Sequence, residues 1–356
     1  MLRRLLSTTL LCTAASIATS PACSLAQEPS APKKPAPAQA GDKGAKKAAK
    51  PAAKAAAEKP APKLVAPPPT MADVPYGKHP KQVLHFWKAE SDQPTPLLFF
   101  VHGGGWQAGN RLAGLDPLVK DYLAAGISIA SVEYRFIEEA MADGVEPPVK
   151  GCLHDAARAL QFVRSKAKEW NIDKTKIAAS GGSAGACTSL WLAFHDDLAD
   201  PKSEDPIARE STRLQFAAVN GAQTTLDPQQ MKEWTPNSVY GSHAFGIFKE
   251  VNGKKVRDFD TFLAQREKIL PLINEYSPYA LVSSDDPPIY LFYNAPPALG
   301  EDQKDPTHTS NFGVKLQERL KEAKVPCELV YPGAPGVEHK RTQDAIIARL
   351  TGKTGS

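Results

Sequence analysis

The sequence predicts an α/β chain, with a mostly parallel central sheet and helices on both of its faces. Three observations carry that reading. Residues 96–102, Pro96 to His102, form a near-continuous apolar run, which suits a strand buried on both sides rather than one with a wet face. From Met71 onward, β-rich runs alternate with stretches of helical spacing, as they do when helices cover a parallel sheet. Two glycine-rich junctions, 103–105 and 181–185, each follow directly on a predicted strand.

Val83–Trp87 reads as the opening strand and Pro96–His102 as the central one. Leu115–Ala125 has helical spacing, and Ile127–Glu133 is a second buried strand. In Asp155–Trp170, Ala156, Leu160, Val163 and Ala167 share one helical face. Lys176–Ser180 is a short strand that runs into Gly181 and Gly182, and Ala184–His195 is a helix. Leu214–Asn220, Ile289–Tyr293 and Cys327–Tyr331 are further strands, and Asn311–Ala323 and Thr342–Leu350 close the chain as helices. Residues 227–285 break the rhythm: Trp234, Tyr240, Phe245, Phe248, Phe259 and Phe262 fall there without clear alternation, which suggests an insertion over the sheet. No internal repeat is apparent.

The first 70 residues differ in kind. Arg3 and Arg4 precede an apolar stretch to about Ser20, and Ser24-Leu25-Ala26 offers a small-x-small cleavage site, so residues 1–26 read as an export signal. The stretch is too short to span a bilayer comfortably. A lipid anchor through Cys23 is the weaker alternative, because Ser20-Pro21-Ala22-Cys23 is a poor match to its usual motif. A secreted or periplasmic protein is therefore expected. Residues 27–70 are almost entirely Ala, Pro and Lys and cannot bury enough apolar surface to offset their ordering entropy; they read as an extended tether.

This tail holds nine Lys against three acids. With Arg3 and Arg4 it accounts for more than the whole formal charge of +4, so residues 71–356 carry about −4. The basic balance belongs to the tail and gives no ground for a nucleic-acid partner. The tail could contact an anionic envelope surface or act as a plain spacer. Beyond the signal region only Cys152, Cys187 and Cys327 remain. These are too few and too scattered for a disulfide framework, and no Cys/His spacing suggests a metal. They read as core residues, with one disulfide possible in an oxidising compartment.

Gly181-Gly182-Ser183-Ala184-Gly185 is a G-x-S-x-G motif between a predicted strand and a predicted helix. Such a turn forces Ser into a strained backbone, and side chains at the flanking glycines would collide. It also puts Ser183 at a helix N-terminus, where negative charge is favoured. His102-Gly103-Gly104-Gly105-Trp106 follows the central strand, and its glycines leave backbone N–H groups open to a developing oxyanion.

These two motifs, with Val132-Glu133-Tyr134-Arg135, the run Ile172–Ile177 and Asp286-Pro287-Pro288, resemble the hormone-sensitive-lipase and carbohydrate-esterase-like branch of the α/β-hydrolases, over about residues 85–350. The resemblance implies the α/β-hydrolase fold and a serine hydrolase of the carboxylesterase type. It implies Ser183 as nucleophile and the N–H groups of Gly104, Gly105 and Ala184 as oxyanion hole. In chain order the acid and then the base should follow Ser. His339, after the strand 327–331, stands where the family carries its base, and His308 is its competitor. His102 is expected to shape its loop. The family's acid follows the strand 289–293, yet residues 294–300 hold no carboxylate. Asp305 is the choice and Asp302 the second, with 295–304 as an insertion.

The expected substrate is a short acyl ester of a carbohydrate or small alcohol. An amidase or peptidase using the same residues is the alternative, as is a non-catalytic binding protein on the same scaffold. No cofactor or metal is implied, and the oligomeric state is not legible.

Overall fold

The computed structural model describes residues 66–352. The segments read as an export signal, 1–26, and as a tether, 27–70, lie outside them, apart from the last five residues of the second. Those five lie on the domain: the Ala66 N–H donates to Asp116, the Trp87 indole to the Pro67 carbonyl, and the Lys88 N–H to Thr70.

The chain forms β1 (Met71–Pro75), β2 (Val83–Trp87), β3 (Thr95–Val101), β4 (Ser128–Val132), β5 (Ile172–Gly182) and β6 (Phe216–Asn220). A separate hairpin, β7 (Phe248–Val251) and β8 (Lys254–Arg257), comes before β9 (Ile289–Phe292) and β10 (Cys327–Val330). Eight strands make one sheet in the order β1-β2-β4-β3-β5-β6-β9-β10. β2 is antiparallel to both β1 and β4; the other neighbours run parallel. This is the expected mostly parallel sheet of an α/β-hydrolase.

The apolar runs explain the layers. Side chains alternate across a strand, and here both faces are dry. From β3, Leu97, Phe99 and Val101 enter one core while Leu98 and Phe100 enter the other. The first core is covered by the helices Pro148–Ser165, Ala184–Phe194 and Asn311–Glu322. The second is covered by Val119–Ala124 and Thr342–Thr351. Each fully buried Leu or Phe contributes about 1.5–3 kcal/mol, so these two faces supply the scaffold's rigidity.

Boundaries differ where local chemistry outweighs periodicity. The helix expected at Asp155–Trp170 begins at Pro148, a residue suited to a first helical turn, and ends at Ser165. Asn171 then closes a short turn in the left-handed region, with φ of 58°. Leu115–Ala125 is split into a 3₁₀ turn, Asp116–Leu118, and a short helix. The edge strand β1 was not expected; it carries only partly covered side chains and so has no apolar signature.

Between β6 and β9 the chain leaves the sheet. It forms the helices Pro228–Trp234, Phe259–Ala264 and Arg266–Tyr276 and the β7–β8 hairpin, closed by Asn252 and Gly253 with φ of 53° and 73°. Asn-Gly is the pair that favours such a turn. Met231, Trp234, Tyr240, Phe259 and Phe262 pack into the first core. Cys152, Cys187 and Cys327 are all free. No helix among the described residues is long and apolar enough to cross a membrane.

Candidate active site

Ser183 stands at the end of β5, immediately before the helix Ala184–Phe194, with φ 54° and ψ −124°. A non-glycine residue in that region costs about 1–3 kcal/mol and persists only where its surroundings force it. The forcing is visible. A Cβ at Gly181 would lie 2.2 Å from the Val101 carbonyl oxygen, and one at Gly185 2.1 Å from the same atom. Only glycines allow β3 and the helix to approach so closely. The Ser183 N–H is tied to the Asn220 carbonyl on β6 at 3.0 Å. The turn thus raises Ser183 out of the sheet, half-buried, between two strand ends.

The Ser183 Oγ lies 2.9 Å from His308 Nε2, and His308 Nδ1 lies 2.9 Å from an Asp305 carboxylate oxygen. The other Asp305 oxygen accepts the N–H groups of Thr307 and His308, each at 3.2 Å. Acid and imidazole therefore belong to one turn, three residues apart. Burial raises the Asp305 pKa, but the hydrogen bond from His308, the charge of its ring and the two N–H groups outweigh that and hold the carboxyl below its usual value. The pair is open to solvent: the side chains of His308 and Asp305 are 40% and 63% exposed.

Ser183 and Asp305 are thus brought together, and His339 is not with them. His339 Nδ1 lies 2.8 Å from Glu328, whose other oxygen accepts the N–H groups of Glu338 and His339. The reason is the path of the chain. After β10 it folds back over the strand it has just left, and the Tyr290 hydroxyl holds the His339 carbonyl there. His339 lines a cavity of about 560 Å³ with Phe216, Ile289 and Cys327, the first residues of β6, β9 and β10. Ser183 sits beyond the last residue of β5, at the other end of the parallel strands. Asp302, the second choice for the acid, makes no hydrogen bond to His308; its carbonyl accepts from Gln303.

The glycine loop closes over Ser183. A Cβ at Gly103 would lie 3.4 Å from the Ser183 Cβ. Gly104 and Gly105 take φ of 103° and 62°, and the Gly104 carbonyl accepts the N–H groups of Gln107 and Ala108. Ala184 opens the helix, so its N–H has no acceptor within it. The loop is pinned from behind. His102 Nε2 lies 3.1 Å from Glu133 and its Nδ1 2.8 Å from the Gly103 carbonyl, while the Tyr134 hydroxyl donates to the His102 carbonyl. The buried Trp106 indole donates to Thr188 on the helix that follows Ser183. Behind these, Arg135 forks onto Asp155 through Nε and Nη2.

Among the described residues, Glu328, Glu338 and His339 place ligand-type atoms within 4.8 Å of one another. Glu328 already accepts three N–H bonds there, which makes the group a self-satisfied turn. It lies apart from Ser183.

The BD-FAE family model matches residues 85–302, more than half of the chain. Gut esterase 1 of Caenorhabditis elegans is 31% identical over 38% of this chain and 24% of its own length. The probable carboxylic ester hydrolase LipM of Mycobacterium tuberculosis is 28% identical over 41% of this chain and 32% of its own length. The matched part thus spans about a quarter to a third of these relatives. Among solved structures, a truncated carbohydrate esterase from gut microbiota aligns at 17% identity with a TM-score of 0.58, over 83% of this chain and 99% of that one. An acetyl ester-xyloside bifunctional hydrolase from Caldicellulosiruptor lactoaceticus aligns at 24% identity with a TM-score of 0.52, over 70% and 77%. Strand order, elbow and family match agree: this chain belongs to the BD-FAE family and has the α/β-hydrolase fold.

Proposed function

We propose that the protein is a serine carboxylic-ester hydrolase in which Ser183, His308 and Asp305 act as nucleophile, base and acid. The observation that carries this reading is the unbroken chain of contacts from Ser183 Oγ through the imidazole to Asp305, at 2.9 Å on each side. A serine hydroxyl is a weak nucleophile at its own pKa and needs such a base.

In this mechanism Ser183 Oγ attacks the acyl carbon while His308 Nε2 takes its proton. The carbonyl π pair moves onto oxygen, where the N–H groups of Gly104, Gly105 and Ala184 receive it. The tetrahedral species collapses, the C–O bond to the alcohol breaks, and the imidazolium returns its proton to the leaving oxygen. Water repeats the sequence on the acyl-enzyme and releases the acid. Asp305 keeps His308 oriented and stabilises the imidazolium. The esterase names of the curated relatives support the reaction class, and a short acyl ester of a carbohydrate or small alcohol is the substrate class we favour. Action outside the cytoplasm is part of this proposal and rests on the signal-like pattern of residues 1–26.

The test is labelling of the full chain by a fluorophosphonate, with hydrolysis of a short-chain aryl ester followed in parallel. Labelling and turnover should both disappear in Ser183→Ala. Absence of labelling in the folded wild type would overturn the reading.

A further inference from the structure

Around Gly105 lies a concentration of polar chemistry that the reaction above does not use. Ser238 Oγ, Tyr240 Oη, Ser242 Oγ and both ring nitrogens of His243 are buried without a hydrogen-bond partner. Tyr240 is 3% exposed and His243 fully enclosed. A buried donor or acceptor without a partner is destabilising, so five in one stretch of six residues ask for an explanation. Two of them, His243 Nε2 and Tyr240 Oη, border one space beside Gly105. A Cβ at Gly105 would lie 3.8 Å from His243 Nε2, 3.9 Å from Tyr240 Oη and 3.0 Å from Arg257 Nη2.

Arg257 is the second observation. It ends β8, lies over the Tyr240 ring at 5.2 Å and donates to Gln107 Oε1 at 2.8 Å, just past the glycine loop. Among the described residues it meets no carboxylate in an ion pair, unlike the neighbouring Lys249, which lies 3.7 Å from Asp258. Arg257 and Lys249 border a cavity of about 270 Å³ together with Tyr240 and Phe259, and Thr307 closes it, one residue before His308. Asp260 is the acid on its wall. The hairpin 248–257 holds Lys249, Lys254, Lys255 and Arg257 against Glu250 alone, on a domain that is net negative. Local charge thus opposes global charge at the mouth of the site.

Resting on the esterase reading, we propose that this cavity is a carboxylate subsite: the preferred ester carries a carboxylate in its acid or alcohol part, received by the Arg257 guanidinium, which the Tyr240 ring supports from beneath, with Lys249 on the same wall. A planar guanidinium suits a carboxylate, which can take two parallel N–H bonds from it. Burial, and then the charge of Arg257, holds His243 down to about 3 against the opposing effect of the Gly105 backbone, so its ring is neutral at working pH and leaves Arg257 as the cation beside Gly105. Gly105 lacks the side chain that would fill the space between the loop and the guanidinium.

The test compares two matched pairs of esters: mono-4-nitrophenyl adipate with 4-nitrophenyl hexanoate, and 4-acetoxybenzoate with 4-acetoxybenzamide. In the wild type the charged member of at least one pair should show about tenfold higher kcat/KM, carried by KM and fading in high salt. Arg257→Gln should bring that ratio close to one, and Arg257→Lys should keep part of it. An unchanged ratio in Arg257→Gln, or equal rates for both members in the wild type, would overturn the proposal. Titration of Ser183→Ala with 4-hydroxybenzoate and with 4-hydroxybenzamide, each with and without Arg257→Gln, reads the subsite without turnover. Should no ester be hydrolysed, the esterase reading fails, while a benzoate preference lost in Arg257→Gln would still uphold the subsite and its absence would sink it.

Discussion

Two loops near the end of the chain carry the same small device. In 293–310 the imidazole of His308 holds Asp305, and in 331–341 the imidazole of His339 holds Glu328, each through Nδ1 at 2.8–2.9 Å. Seen locally the two pairs are near equivalents, and the second is the better shielded: His339 and Glu328 side chains are 19% and 22% exposed, against 40% and 63% in the first. What separates them is where Nε2 goes, and that is decided by long-range contacts.

The 293–310 loop is held at the end of the sheet that carries Ser183. Asn311 Nδ2 donates to the Trp234 and Ala298 carbonyls, Asn237 bonds Gln303, and Gln223 Nε2 donates to the Thr307 carbonyl at 2.8 Å. Gly221, with φ of 56°, leaves the room that His308 occupies; a Cβ there would stand 3.4 Å from the His308 Cβ. The 331–341 loop is anchored elsewhere: the Tyr290 hydroxyl of β9 donates to the His339 carbonyl, and Glu328 of β10 accepts the Glu338 and His339 N–H groups. A His–carboxylate pair therefore marks nothing by itself. Its role is set by the strand end to which the fold pins it.

The sharpest break of this comparison is to remove each imidazole. His308→Ala should lower kcat for an aryl ester by about 10²–10⁴-fold, the usual contribution of a general base. His339→Ala should leave kcat within about twofold. A reversed pattern would return the base to the later loop and undo the comparison. Steady-state kinetics on both purified variants decides it.

Removing the carboxylates should separate activity from stability. Asp305→Asn should cost about 10–100-fold in kcat, less than a buried acid would, because solvent already shares the work of stabilising an exposed imidazolium. Glu328→Gln should leave kcat near wild type but lower stability by about 1–2 kcal/mol, since a charged acceptor of backbone N–H bonds is exchanged for a neutral one. Urea unfolding beside the kinetics would expose any crossing of the two effects.

The contrast also explains which parts of the molecule were legible in the sequence. The elbow was, because every requirement is local: a strand, Gly181, Ser183, Gly185 and a helix follow one another within a few residues, and the steric need for the glycines is met by β3 directly beneath. The sheet was, because both its faces are dry and its strands read as apolar runs. Asp305 followed from the resemblance, which puts the acid after the strand 289–293, although Glu301 and Asp302 come earlier in that loop. The proposed base is harder to read: the resemblance points after the last strand, to His339, and the signal for its competitor His308 is only the Asp305-Pro306-Thr307-His308 spacing. In that spacing an Asx-type turn can place an imidazole on its own carboxylate. The 227–285 region hid its hairpin for a different reason: the Asn252-Gly253 turn signal stood between two strands that are largely exposed, so no apolar alternation flanked it. Arg257 and His243 had no signal at all, since their meeting with Gly105 joins segments over a hundred residues apart.

The smallest effect concerns the acid limb of stability. Asp305 has a folded pKa below its ordinary value, so its pairing with His308 stabilises the fold above that ordinary value and is lost as pH falls through the folded one. The carboxylate is largely exposed, and solvent screening holds an ion pair of this kind to about 0.2–1 kcal/mol. Wild type should therefore exceed Asp305→Asn by no more than that at neutral pH, and the gap should close only as pH falls through the folded pKa, below the ordinary carboxylate value. Paired urea titrations at neutral pH and down the acid limb measure the gap. A gap that widened on acidification would mean that the pair is held by a structural constraint other than its charge, and the exposed loop would then resemble its better-shielded counterpart at Glu328 more closely than its geometry allows.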